Sequence, residues 1–295
     1  MRLTVCGRAG AGRRTVTEAL RAAGAIAGPP ARNAQAGELA LYVFVEAATD
    51  EDRDALASLV GAERPCLAVL NKADLSGFRG GNPMAVARTR CRALTRETGV
   101  PAAPLAALAA RAGYRGLDDL ILVGLRMLVG GPARLDPDLR DALLAELDYY
   151  GLAHAVAALR AGATADGVAA ALREASGMGA VLAAAEHAAA AARYRGLSSA
   201  PALLMARDGD CRAADAMVAV RAAAAADVIR AAGLRVAGLD PTEPPAPGAA
   251  RGETAAACLR AAVLWQRYAR GPVDELHRDC ARELSRTWLR RWAGR

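Results

Sequence analysis

An apolar segment, residues 1–6, runs into Gly7-Arg8-Ala9-Gly10-Ala11-Gly12-Arg13-Arg14-Thr15, and a helix-like pattern follows from about Arg14. No other stretch narrows the range of folds as much. Glycines let a loop curl so that successive N–H groups face a common centre, and the first turn of the following helix adds its positive end. The guest such a cradle suits is phosphate. Arg13 stands where a phosphate-binding loop carries Lys, and Arg14 where it carries Ser or Thr. A planar guanidinium does not replace the compact lysine charge, and Arg14 cannot ligate Mg²⁺ as a hydroxyl would. Thr15 sits one position later, rotated by about 100° around the helix. The alternative left open by these residues is a glycine-rich turn that binds nothing.

A second stretch bears on the first. Residues 65–70, Pro-Cys-Leu-Ala-Val-Leu, read as a short buried strand that delivers Asn71-Lys72-Ala73-Asp74 at its C-terminal end, where open α/β sheets keep their sites. Asp74 can accept two hydrogen bonds from a base with adjacent N–H donors, as in guanine. Asn71 offers a second polar contact, and Lys72 can lay its aliphatic stem along the first loop.

Together these residues resemble the P-loop GTPase superfamily. Asn71, Lys72 and Asp74 match its NKxD guanine-specificity motif, and residues 7–14 its GxxxxGK[ST] loop. Residues 99–108 resemble the last strand and short SA-type loop of such domains, with Ala106 where Ser is usual, so that only a backbone N–H contact survives there. Residues 39–46 resemble the strand before NKxD, and 50–60 its following helix. The resemblance implies a nucleotide site of Gly7, Gly10, Gly12, Arg13, Arg14, Thr15, Asn71, Lys72, Asp74, Ala106 and Ala107. Residues 24–38, with Arg32, Asn33 and Gln35, carry no recognisable switch I Thr, antiparallel strand pair or DxxG motif. The helical C-terminal half resembles that of bacterial dynamin-like GTPases, although Era-like GTPases share the same core motifs.

Hydrolysis of GTP requires Mg²⁺ held by hydroxyls and carboxylates and a positioned water. With those parts unrecognised, the expectation is a catalytically impaired, GTPase-like regulatory or scaffold protein with no catalytic residue. It acts through a protein partner, foremost an active GTPase. GTP or GDP is the implied ligand, and Mg²⁺ is not expected. One alternative is a genuine GTP-binding switch or GTPase with noncanonical metal and switch elements; another is an Arg-rich nucleic-acid or ribosome-associated factor.

The expected fold class is α/β: a reduced, mainly parallel P-loop GTPase-like sheet over residues 1–130, followed by an all-α C-terminal region. Strands are predicted at 1–6, 39–46, 65–70 and 101–105, and loss of the antiparallel pair should expose one sheet edge. Residues 133–237 read as a helical domain, with 136–160 broken near Gly151; 238–248 as a Pro-rich linker; and 249–295 as a terminal helical pair packed with that domain. On the last helix Val273, Leu276, Cys280, Leu284, Trp288 and Trp292 form one stripe, with Arg278, Arg282, Arg286 and Arg290 elsewhere. Self-packing is the first expectation for that stripe, then a partner, then anionic membrane.

The net charge of +7, from 38 basic and 31 acidic residues, is spread along the chain without nucleic-acid-binding motifs, so nucleic acid is not expected as a partner. Six cysteines lie far apart with no metal or disulfide pattern. His154, His187 and His277 show no ligand spacing. Asp208, Asp210 and Asp215 read as helix capping rather than as a cation loop. No strongly apolar run long enough to span a bilayer stands outside the Ala-rich helices. The expected location is cytoplasmic, with peripheral contact to the inner face of the membrane as a lesser alternative.

Overall fold

A computed structural model of the 295-residue chain describes residues 2–29, 38–77, 81–131, 135–199, 211–232 and 255–294. The reading of 238–248 as a linker, most of the 24–38 interval, and Asp208 and Asp210 lie outside them; so does the side chain of Asp215. Contacts group the chain into two compact units, Met1–Ala185 and Glu186–Arg295.

The first unit is built on a wholly parallel five-stranded sheet: β1 (Arg2–Gly7), β2 (Ile26–Gly28), β3 (Leu39–Val45), β4 (Cys66–Asn71) and β5 (Ala102–Leu105), in the order β2-β1-β3-β4-β5. Four strands fall where the apolar runs predict them. The fifth, β2, has no sequence signal: three residues in a Gly- and Pro-rich stretch give no pattern to read. It pairs with β1 in parallel through Arg2 and Ile26, Leu3 and Ala27, and Thr4 and Gly28, so the β1 flank is partly covered.

Side chains alternate across the sheet, as strand geometry requires. Ala40, Tyr42, Phe44, Ala68 and Leu70 share a buried cluster with Leu56 of α2 (Asp50–Gly61) and Met84, Ala87, Cys91 and Leu94 of α3 (Pro83–Thr98). Leu41, Val43, Leu67 and Val69 are also fully buried; they belong to the alternate face, on the side of α1 (Arg13–Ala22) and α4 (Ala107–Arg115), which pack together. Fully buried β-branched and leucine strands are what a sheet covered on both faces demands.

A second helical layer continues outward from α4. Helices α5 (Asp119–Gly130), α6 (Pro137–Arg160) and α7 (Ala165–Ser176) enclose Ala106, Ala109 and Ala112 with Leu125, Leu143, Leu147, Val168 and Leu172. Alanine lets these backbones approach closely. A Cβ at Gly113 would stand 2.8 Å from Arg173 N and 3.0 Å from Ala169 O. Helix α6 is broken as expected, but at Asp148, whose φ of 53° and ψ of −174° are not helical.

Helix α8 (Met178–Ser199) carries the chain from the first unit into the second. There, α9 (Cys211–Ala231), α10 (Ala255–Arg270) and α11 (Glu275–Ala293) close around Tyr194, Ala222, Val228, Ile229, Trp265, Cys280 and Leu284. The last helix follows its first expectation: Cys280 and Leu284 are buried and Leu276 and Trp288 pack against the same cluster, while Trp292 remains 46% exposed.

Candidate functional site

Strand order places the chain's switch of direction between β1 and β3, because β2 lies on one side of β1 and all later strands on the other. Ligands of doubly wound sheets bind at the carboxyl ends of strands at such a point. Register brings the relevant residues to one edge: Gly7 stands beside Val43, Val45 beside Asn71, and Asn71 beside Leu105.

The loop after β1 has the curled form its glycines predict. Gly7, Gly10 and Gly12 have φ of 131°, 78° and 80°, conformations that strain any side chain. A Cβ at Gly7 would collide with the Val43 carbonyl, and one at Gly12 with Asn71 Nδ2. Among the described residues, the only backbone acceptor for an N–H of residues 9–14 is Arg8 O, 3.4 Å from Ala11 N. Helix α1 starts without a side-chain cap, so its first-turn N–H groups are also open to an anion.

The second motif meets the first. Asn71 is 2% exposed and donates from Nδ2 to Ala11 O at 2.9 Å, bridging sixty positions of sequence. Its Oδ1 is buried with no partner. Its cross-strand neighbours, Val45 and Leu105, carry no side-chain donor. Lys72 follows in a left-handed conformation, φ 52°, and turns the chain into a short 3-10 segment, Ala73–Leu75, that carries Asp74. Burial raises the Asp74 carboxyl above its ordinary value, against the opposing pull of its own backbone N–H and of Lys72.

The remaining sequence candidates are placed differently. Arg13 is exposed and lines a shallow groove of about 470 Å³ with Val5, Thr17, Glu18 and Arg21. Arg14 has a side chain 93% exposed and paired to Glu18 at 2.9 Å. Glu18 also meets Arg111, which meets Glu146, so this chain of charges runs along α1, α4 and α6. Thr15 is partly buried in the first turn. Ala106 and Ala107 are buried at the uncapped start of α4, and the Ala106 N–H donates to Ser176 O at 2.9 Å.

Sequence reasoning missed the loop's second support. Arg8 Nε lies 2.9 Å from Oδ1 of Asp52, a carboxylate with no exposed surface. The same oxygen accepts from Tyr42 OH, and Oδ2 accepts from Thr49 N and Thr49 Oγ1. Every lone pair of Asp52 is thus occupied. Burial, then Asp52, drives the Tyr42 phenol well above its ordinary range. The Thr49-to-Asp52 capping box was a legible local signal; its link to Arg8, across forty-four positions, was not.

The residues present suit an anionic phosphate group better than they suit Mg²⁺. The cradle of unpaired N–H groups and the orphaned Asn71 Oδ1 leave room for hydrogen-bonding partners. At the metal position the residue present is Arg14, turned outward to Glu18, and the buried carboxylate beside the loop is saturated by Arg8, Tyr42 and Thr49. Among the described residues no group of three or more His, Cys, Asp or Glu is arranged to hold a metal ion. No single described helix is long and apolar enough to cross a membrane. One bent pair, Ala165–Ser176 with Met178–Ser198, meets the length and composition criterion across a 54° break, and its Val168 and Leu172 are buried against α4 to α6.

No protein-family model matches the chain, and comparison with curated proteins and with solved structures gives no match.

Proposed function

We propose that the first unit is a reduced guanine-nucleotide domain that binds GDP or GTP without appreciable hydrolysis and regulates or scaffolds a protein partner, foremost an active GTPase. The observation that carries this reading is the Asn71 Nδ2 to Ala11 O hydrogen bond, which ties the strand end bearing Asp74 to the glycine loop. A phosphate cradle and a base-recognising carboxylate then belong to one site. Asp74 accepts from N1–H and the 2-amino group of guanine, the second Asn71 amide hydrogen faces a ring nitrogen, and the uncapped start of α4 at Ala107 offers N–H groups to the 6-oxo oxygen. The outward-turned Arg14 and the saturated Asp52 support weak or absent metal-dependent turnover. A partner that covers the phosphate end would supply what this chain lacks there.

Titration calorimetry with GDP, GTP and ATP tests the reading. Guanine nucleotides should bind and ATP should not, and purified protein with GTP and Mg²⁺ should release no phosphate above a Gly12→Val control. ATP bound as tightly as GDP, or turnover abolished by Gly12→Val, would contradict it. The partner is tested by size-exclusion chromatography of the native complex, which should show a stoichiometric assembly.

A further inference from the structure

The break in α6 falls against the same end of the sheet. Tyr150 packs onto the cluster that holds Ala73 and Met84, and its hydroxyl donates to Ala175 O at 3.0 Å. A Cβ at Gly151 would meet Ala109 at 3.7 Å, on α4. The link between α7 and α8 closes the same side: a Cβ at Gly177 would stand 2.6 Å from Pro104 O and 2.8 Å from Met84 Cε. Between these contacts lies Asp148, half-buried and left-handed, with Oδ1 accepting from Gly151 N at 2.9 Å. Burial first, and the charge of Asp74 after it, raise the Asp148 carboxyl to about 6, with Lys72 beside Asp74 and Arg88 of α3 beside Tyr150. A non-glycine residue held at such angles is strained and persists where surroundings impose it. Independently, the buried Asn71 Oδ1, three positions before Asp74 on this strand end, has no donor from the protein.

Resting on the reading of this end as a guanine site, we infer that Asp148 is a specificity-determining residue that accepts the second hydrogen of the guanine 2-amino group. The count of donors carries the argument. Guanine presents three N–H hydrogens on this edge, one on N1 and two on the exocyclic nitrogen. A single carboxylate takes one from each nitrogen and leaves the third unpaired. The Asp148 carboxylate accepts from the backbone N–H groups of Gly151 and Tyr150 and keeps lone pairs beyond those two, close enough to Asp74 for the two charges to interact. A base without the 2-amino group, hypoxanthine, therefore loses two charge-assisted bonds here, where a site with one carboxylate would lose one.

The test is the ratio of GDP to IDP affinity in the full chain, measured by calorimetry at pH 7.5 for the wild type, Asp148→Asn and Asp148→Gly. Asparagine keeps the Oδ1 bond to Gly151 and tolerates positive φ, while glycine suits the backbone and removes the side chain. Each lost charge-assisted bond corresponds to roughly tenfold or more in affinity, so the GDP preference should shrink by about that factor in both variants while IDP affinity stays within about twofold. An unchanged ratio in variants that bind GDP and melt as the wild type does would overturn the role of Asp148 and leave the nucleotide site standing. Absence of any GDP binding by the wild type would instead remove the site and this inference with it.

Discussion

The loop at residues 7–15 and the turn at residues 71–75 meet at one sheet edge, and in the function proposed for them each supplies a different half of a nucleotide site. The loop retains backbone form: three left-handed or otherwise glycine-only conformations, close approach to Val43, and unpaired N–H groups. Its side chains are turned to other tasks, Arg8 to Asp52 and Arg14 to Glu18. The turn retains side chains, Asn71, Lys72 and Asp74, inside surroundings remade by α6 to α8. Phosphate is held mainly by backbone and helix polarity, so a cradle tolerates unusual residues at positions 13 and 14. A base is read by side-chain donors and acceptors, so its reader must keep them.

The strongest way to break this pairing is Gly12→Val. A branched side chain at φ 80°, driven into Asn71 Nδ2, combines backbone strain with overpacking and loss of a buried bond, about 4 kcal/mol together. The denaturant midpoint should fall accordingly, and GDP binding should vanish. Asp52→Asn comes next. It strips the charge that holds Arg8 and leaves buried donors facing an amide, which should cost about 3 kcal/mol, read from the same denaturation curve.

Acid separates the two compact units with opposite signs. The Asp148 carboxyl, raised to about 6 in the first unit, holds its proton where the unfolded group, near 3.9, has released it. The first unit therefore gains stability as pH falls from about 6 toward 4. In the second unit burial, then the neighbouring charge of His277, lowers the His187 imidazole. The unfolded ring takes its proton first, so that unit loses stability as pH falls below about 6.5. Hydrogen exchange at pH 7 and pH 5, corrected for intrinsic rates, should show the first unit gaining on the order of 1 kcal/mol and the second unit losing protection. Same-sign changes in both units would contradict these assignments. The smallest effect belongs to Arg14→Ser, which restores a hydroxyl on an exposed helix position. Stability should move by less than about 0.5 kcal/mol, whereas the benefit of Mg²⁺ to GTP affinity should rise.

What could be read in the chain followed from pattern length. Residues 39–45 and 66–70 are apolar throughout and run into the polar residues Glu46 and Asn71, so strand and site are visible together. Ile26–Gly28 is too short to show a period, and Ala107–Arg115 continues from a strand without a cap, so neither β2 nor α4 stood out. Glycine is the usual breaker, which points to Gly151, yet it is Asp148 that takes the positive φ, and Gly151 only donates its N–H to the Asp148 carboxylate. Spacing gave no reason to join His187 to His277, whose rings stack with centroids 5.5 Å apart. Contacts across such separations are decided by packing, which local sequence does not encode.

The central claim is that one ligand unites the loop and the turn. Hydrogen exchange with and without saturating GDP measures that union directly. The account predicts added protection at residues 8–15 and 71–75 in the same experiment, at the same GDP concentration. Protection confined to one of the two segments, or appearing only elsewhere in the chain, would contradict it.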